Sequence, residues 1–153
     1  DPYMAYRSVL VVRKEEAPVR SLADLARGPV AVQSGSWAHY QFTQHGIKVW
    51  VRFRTDEDII QAVENGDAHA GVVSNFGYEW YVHGHPQAAM RAATEFGFDP
   101  DFGYDVAVGL MEADAALLER VNAALAQMRE NGTISQVLSR YGITALPPGD
   151  GAQ

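Results

Sequence analysis

Cysteine is absent from the 153-residue chain. That excludes disulfide scaffolds, thiolate zinc sites and cysteine nucleophiles together. Positive charge is scarce: twelve Lys and Arg stand against nineteen Asp and Glu, a formal net charge of −7. Nucleic-acid binding needs a basic face to displace phosphate counterions, and an anionic membrane surface is disfavoured for the same reason. Lysine is almost missing, with only Lys14 and Lys48, which we read as a habit of base composition. No apolar run approaches the ~18 residues of a membrane span. No Gly-rich phosphate loop and no G-x-S-x-G elbow occurs. The chain opens on Asp1-Pro2-Tyr3 without Met or signal peptide. What remains is 47% apolar residues, enough for a real core and too many for a disordered chain.

The patterning predicts alternating strands and helices. Ser8 to Arg13 is a β-branched apolar run and reads as a buried strand. Ser21 with Asp24 has the form of a capping box over a brief helix. Strands are expected at Pro29–Gln33, Val49–Phe53, Ala68–Val73, Met90–Glu95 and Tyr104–Leu110. Helices are expected over Trp37–His45, Asp56–Asn65 capped by Thr55, and Gly77–His83. Asp114 caps an amphipathic helix carrying Leu117, Leu118, Val121, Leu125 and Met128, and Thr133 caps a last short helix with Ile134, Val137 and Leu138. Such alternation predicts an α/β fold with a mostly parallel sheet flanked by helices.

Read in order, several segments resemble the extracellular solute-binding proteins of family 3, which have the type 2 periplasmic binding fold. They are Val9 to Lys14, Ser21 to Leu25 with Val30 to Ser36, Thr55 to Gly66, Val121 to Leu125, and Glu130 to Gly142. The resemblance implies a crossing strand at 1–11, a complete lobe two at 12–104, a return strand and lobe-one helices at 105–146, and a flexible tail at 147–153. It implies a periplasmic, non-catalytic binding protein. It also implies a missing N-terminal part of lobe one, so the chain is expected to be a fragment. The apolar stripe of the C-terminal helices would then lack its usual cover and could form dimer contacts.

Ligand in this family sits between the lobes. Gly35-Ser36 at a helix N-terminus is a candidate anion cradle, or an ordinary cap. Amino-acid binders of the family place an Asp after the strand that ends here at Val73. That position is Ser74, beside Asn75, and neither carries charge, so the amino-acid site reads as dismantled. Phe76, Tyr78, Trp80 and Tyr81, with Trp37 and Tyr40 across the cleft, read either as a wall for an apolar ligand or protein segment, or partly as core. His83 and His85 lack a third ligand, so no metal is expected. His39 and His45 are expected to be exposed. Asp56, Glu57 and Asp58 read as partners of a helix dipole. Asp99 and Asp101 flank Pro100 and read as structural.

Two functions follow. Some family-3 relatives are periplasmic accessory proteins of quinoprotein methanol dehydrogenases. The chain is similar to them in the lost Asp at Ser74, the aromatic segment Phe76 to Tyr81, and the ending Tyr141 to Pro147. That resemblance implies a partner-binding protein that assists activation of the dehydrogenase, whose metal and pyrroloquinoline quinone belong to the partner; no cofactor is expected in this chain. The alternative is the ligand-capturing subunit of an ABC importer for amino acids or similar solutes, working with an ABC permease. An enzymic reading finds no base with an oriented partner.

Overall fold

The computed structural model describes residues 1–98, 102–112 and 114–149. The run at Ser8 to Arg13 is the end of a longer strand, β1 (Pro2–Arg13). It is followed by α1 (Leu22–Leu25), β2 (Val30–Gln33), α2 (Trp37–Gln44), β3 (Val49–Phe53), α3 (Asp56–Glu64), β4 (Ala70–Ser74) and α4 (Asn75–Gly84). Then come β5 (Met90–Ala92), β6 (Gly103–Ala107), α5 (Ala115–Glu130) and α6 (Thr133–Ser139). The main sheet runs β3-β2-β4-β1-β5, with β6 on β1.

The sheet is mixed rather than mostly parallel. β2 pairs in parallel with β3 and β4, as βα crossovers require. β1 runs antiparallel to β4, β5 and β6. Its first half, through Arg7, pairs with β6, and from Ser8 onward it pairs with β4. It thus enters the main sheet at Ser8, ahead of the boundary expected at residue 12.

Both faces of this sheet are buried, which is why its strands read as continuous apolar runs. Leu10, Val12, Val30, Val32, Ala70 and Val72 pack on one side with Leu25 of α1 and Ala38 and Phe42 of α2. Val11, Ala31 and Val73 pack on the other with Ile59, Ile60 and Val63 of α3 and Tyr81 of α4. Gly71 lets α3 lie directly on β4: a Cβ there would stand 2.5 Å from the Ile59 Cγ2.

The caps explain the helix starts. Ser21–Asp24 and Thr55–Asp58 both form full capping boxes. α4 begins at Asn75, two positions earlier than expected, because the Ser74 hydroxyl accepts the Gly77 N–H. α6 is capped differently from expectation. Gly132 is its N-cap at φ 75° without a side-chain bond, and the Thr133 hydroxyl turns back to Asn131. The strand expected over Met90–Glu95 stops at Ala92, where Ala93 and Phe96 close a turn. α5 buries no residue fully, and Leu117 and Leu118 stay half-exposed. At Pro147–Gly149 the tail is tied down, since the Gly149 N–H donates to Asp105.

Gly71→Ala is expected to cost ~1–3 kcal/mol through overpacking between α3 and β4. A urea titration with an unchanged slope and a lowered midpoint checks it; an unchanged midpoint would mean that α3 can move away freely.

Candidate functional site

Because β2, β3 and β4 are parallel, α2, α3 and α4 all begin along one edge of the sheet, at Ser36, Thr55 and Ser74. The carboxyl edge of parallel strands is where open α/β sheets bind ligands. β1 completes this edge by setting Ser8 opposite Ser74, and Tyr6 opposite Tyr104 on β6.

The first corner, at α2, is closed upon itself. Gly35 takes a left-handed turn at φ 74°, and its N–H donates to the His39 Nδ1 at 3.2 Å. The Ser36 hydroxyl accepts the His39 N–H at 3.1 Å. The imidazole of His39, expected to be an exposed bystander, therefore occupies a donor of the anion cradle read at Gly35-Ser36.

The second corner holds a carboxylate that sequence reasoning assigned to a helix dipole. Of the three acids starting α3, Asp58 closes the capping box and Glu57 accepts from Gln61. Asp56 reaches across to α4. Its Oδ2 accepts the Ser74 N–H at 3.1 Å and the Ser74 hydroxyl at 2.5 Å. Oδ1 accepts no hydrogen bond among the described residues, and the side chain is half-buried. Gly77 makes this approach possible, because a Cβ there would collide with the Asp56 carboxyl. A glycine inside an aromatic helix was the legible hint. A carboxylate from the neighbouring helix thus stands against Ser74, where the sequence alone shows no charge.

Two phenols and a phenyl ring cluster at the same edge, where β1 meets β6 and α4 begins. Tyr6 stacks on Tyr104 with centroids 4.3 Å apart, and Phe76 tilts against Tyr6 at 6.4 Å. Burial pushes the Tyr6 phenol up to about 12; a bond with Ser8 opposes the rise, and the Tyr104 and Asp56 charges add to it. Tyr104 is also raised, by burial and then by Asp56. Asn75 is buried at 4% exposure, with its Oδ1 on the Arg7 N–H and its Nδ2 unpartnered among the described residues.

The aromatic wall is only partly assembled. Trp37 and Tyr40 stack on each other at 5.4 Å and are about half-exposed, as is Trp80. Tyr81 does not line a cleft. It is buried and donates to Glu64 at 2.7 Å, and burial followed by Glu64 pushes it up to about 12. Tyr78 also turns to the core, where its oxygen accepts the Ala92 N–H. The reason is the helix period: α4 lays one face on α3 and β5, and these two phenols fall on it. His85 stacks on Tyr81, and Gly142 packs against His83. Asp99 and Asp101 lie outside the described residues.

This edge-of-sheet geometry fits the comparisons with known proteins. Residues 3–153 match the family described as ABC transporter, phosphonate, periplasmic substrate-binding protein. The chain belongs to that family. No curated protein sequence matches it. An ancestral arginine-binding protein bound to glutamine superposes with a TM-score of 0.67 at 29% identity, over 92% of this chain and 61% of that one. A mutant of ArgBP from T. maritima gives 0.71 at 26% identity, over 92% and 59%. The L-cysteine solute receptor of Neisseria gonorrhoeae shares the fold, with a TM-score of 0.70 at 22% identity, over 93% and 55%. The chain thus spans 55–61% of the length of these three structures. Among its described residues no helix is long and apolar enough to cross a membrane.

Of the three raised phenols, Tyr6 and Tyr81 stand highest, at about 12. A folded-state value above the ordinary ~10 means that folding holds the proton. Their stabilisation is complete below pH ~10 and is lost as pH rises through about 12. In a spectrophotometric titration Tyr6 and Tyr81 should ionise last, and Tyr6→Phe should remove one equivalent from that late wave. A late wave unchanged in the variant would show that Tyr6 is not buried beneath Tyr104.

Proposed function

We propose that the chain is the solute-capturing part of a periplasmic binding protein that delivers a small solute to an ABC permease. The observation carrying this reading is the half-buried Asp56 carboxylate, bridged to Ser74 on the sheet edge where α/β folds take ligands. The family match supports the same reading, since its description is that of a transporter's substrate-binding protein. The solved relatives support it too, being named as binding proteins or receptors for arginine and L-cysteine.

The methanol dehydrogenase accessory reading has less support. It draws on a lost acid at Ser74, on the aromatic segment Phe76 to Tyr81 and on the ending Tyr141 to Pro147. Asp56 restores an acid beside Ser74, and Tyr78 and Tyr81 are committed to the core. None of the relatives described above is a dehydrogenase accessory protein. Periplasmic export and partnership with a permease belong to the importer reading, and catalysis has no role in it.

The test is an amide-shift titration of the 15N-labelled chain with amino acids, amines and phosphonates at millimolar concentration. At least one solute should move the Asp56, Ser74 and Gly77 amides together, in a saturating manner. A panel in which every solute leaves these three amides unmoved would overturn the receptor reading.

A further inference from the structure

A cavity lies at the far end of α2 from the candidate site. It measures about 380 Å³ and is lined by Phe42 of α2, by Phe96, Phe98 and Phe102 between β5 and β6, and by Arg20 and His45. Ser36 starts α2 and His45 ends it, so about 13 Å of helix separates the two places. We propose that this cavity is a second binding site, which takes an aryl carboxylate with its ring among the four phenyl rings and its carboxylate on Arg20. The inference stands apart from the receptor reading, because it uses no residue of the Ser74 edge. The volume falls within the roughly 300–1,000 Å³ of small-molecule pockets.

The rings decide the apolar end of the ligand. Phe98 is the hub of the wall: its centroid lies 5.0 Å from Phe96, 4.9 Å from Phe102 and 6.4 Å from Phe42. Phe42 and Phe102 close the set at 5.3 Å. Phe42, Phe96 and Phe102 are each exposed by 9% or less, so the wall is anchored in the core that α2 shares with the sheet. The planes meet at angles from 16° to 76°. An entering ring therefore finds both faces and edges to pack on, the two arrangements that aromatic pairs favour. None of the four side chains carries a polar atom, so the part of a ligand among them must be apolar.

The mouth decides the polar end. Arg20, Ser21 and His45 are exposed there. The neighbouring acids are already committed. Asp24 Oδ2 accepts the Arg20 and Ser21 N–H groups and the Ser21 hydroxyl, and its Oδ1 pairs with Arg27. Glu95 is held by both terminal nitrogens of Arg91. The Arg20 guanidinium is left with no ion pair and no hydrogen bond among the described residues. Its planar fork of donors matches a carboxylate through two parallel bonds. One open guanidinium above a box of phenyl rings describes a flat apolar group with an anionic oxygen pair on a short arm.

Phenylacetate, phenylacetamide and acetate, each titrated into the 15N-labelled chain, separate the two halves of this assignment. Phenylacetate should move the Leu22, His45 and Gly97 amides together and saturably, while the Ser74 and Gly77 amides stay still. Phenylacetamide keeps the ring and loses the charge, and should bind about 10-fold more weakly, the lower end for a hydrogen bond to a charged group. Acetate keeps the charge and loses the ring, and should move none of the three amides. Arg20 is exposed, so Arg20→Gln should leave the melting temperature unchanged and bring phenylacetate down to the affinity of phenylacetamide. Equal binding of the acid and the amide by the native chain, or an affinity for phenylacetate that Arg20→Gln leaves unchanged, would overturn the carboxylate assignment. Acetate moving the same amides as strongly would overturn the role of the rings. Silence of Leu22, His45 and Gly97 toward all three probes would overturn the site itself.

Discussion

The rest of the structure hangs on one long strand. β1 carries Leu10, Val11 and Val12, each at 2% exposure or less, through the middle of the main sheet. Its side chains alternate, so Leu10 and Val12 feed one core while Val11 feeds the other. Its first half leaves that sheet to pair with β6. The same backbone therefore fixes where Ser8 meets Ser74 and where Tyr6 meets Tyr104. A one-residue slip would reverse every one of these facings, so the register that buries the core also builds the candidate site.

The Asp56–Ser74 bridge is the second constraint, and it depends on absences. Gly71 lets α3 settle on β4, and Gly77 lets the Asp56 carboxyl reach the start of α4. The acid does two tasks at once. It satisfies the Ser74 donors at a helix N-terminus, where a negative group is favoured, and its second oxygen has no hydrogen-bond partner among the described residues.

Much of the fold was legible because local chemistry and tertiary packing agree. Ser21 with Asp24, Thr55 ahead of Asp58, and Asp114 ahead of Leu117 all cap as their spacing implies. The mixed sheet was not legible, because β1 has the same apolar run whether its neighbours are parallel or antiparallel. The site was legible only in outline. The Ser36 and Ser74 turns fall where expected, yet the interactions that decide their chemistry come from His39, one helical turn onward, and from Asp56, on another helix. Sequence spacing could reach the first of these and not the second. For Tyr78 and Tyr81 the sequence left cleft and core both open, because a cluster of aromatics within one helix is divided between its faces, and composition does not say which face is wet.

Magnitudes rank the charges gathered at the edge of the sheet. A helix N-terminus attracts an anion by roughly 0.3–1 kcal/mol at an exposed site. A full carboxylate at about 4 Å acts on a unit charge with about 4 kcal/mol at an effective dielectric near 20. The positive ends of α2, α3 and α4 are thus outweighed by Asp56 for any group that approaches its open oxygen. The dipole at α2 is further offset by His39 on the Gly35 N–H. One carboxylate crossing from α3 to α4 therefore shapes the field at the Ser74 turn more than the helix ends around it do.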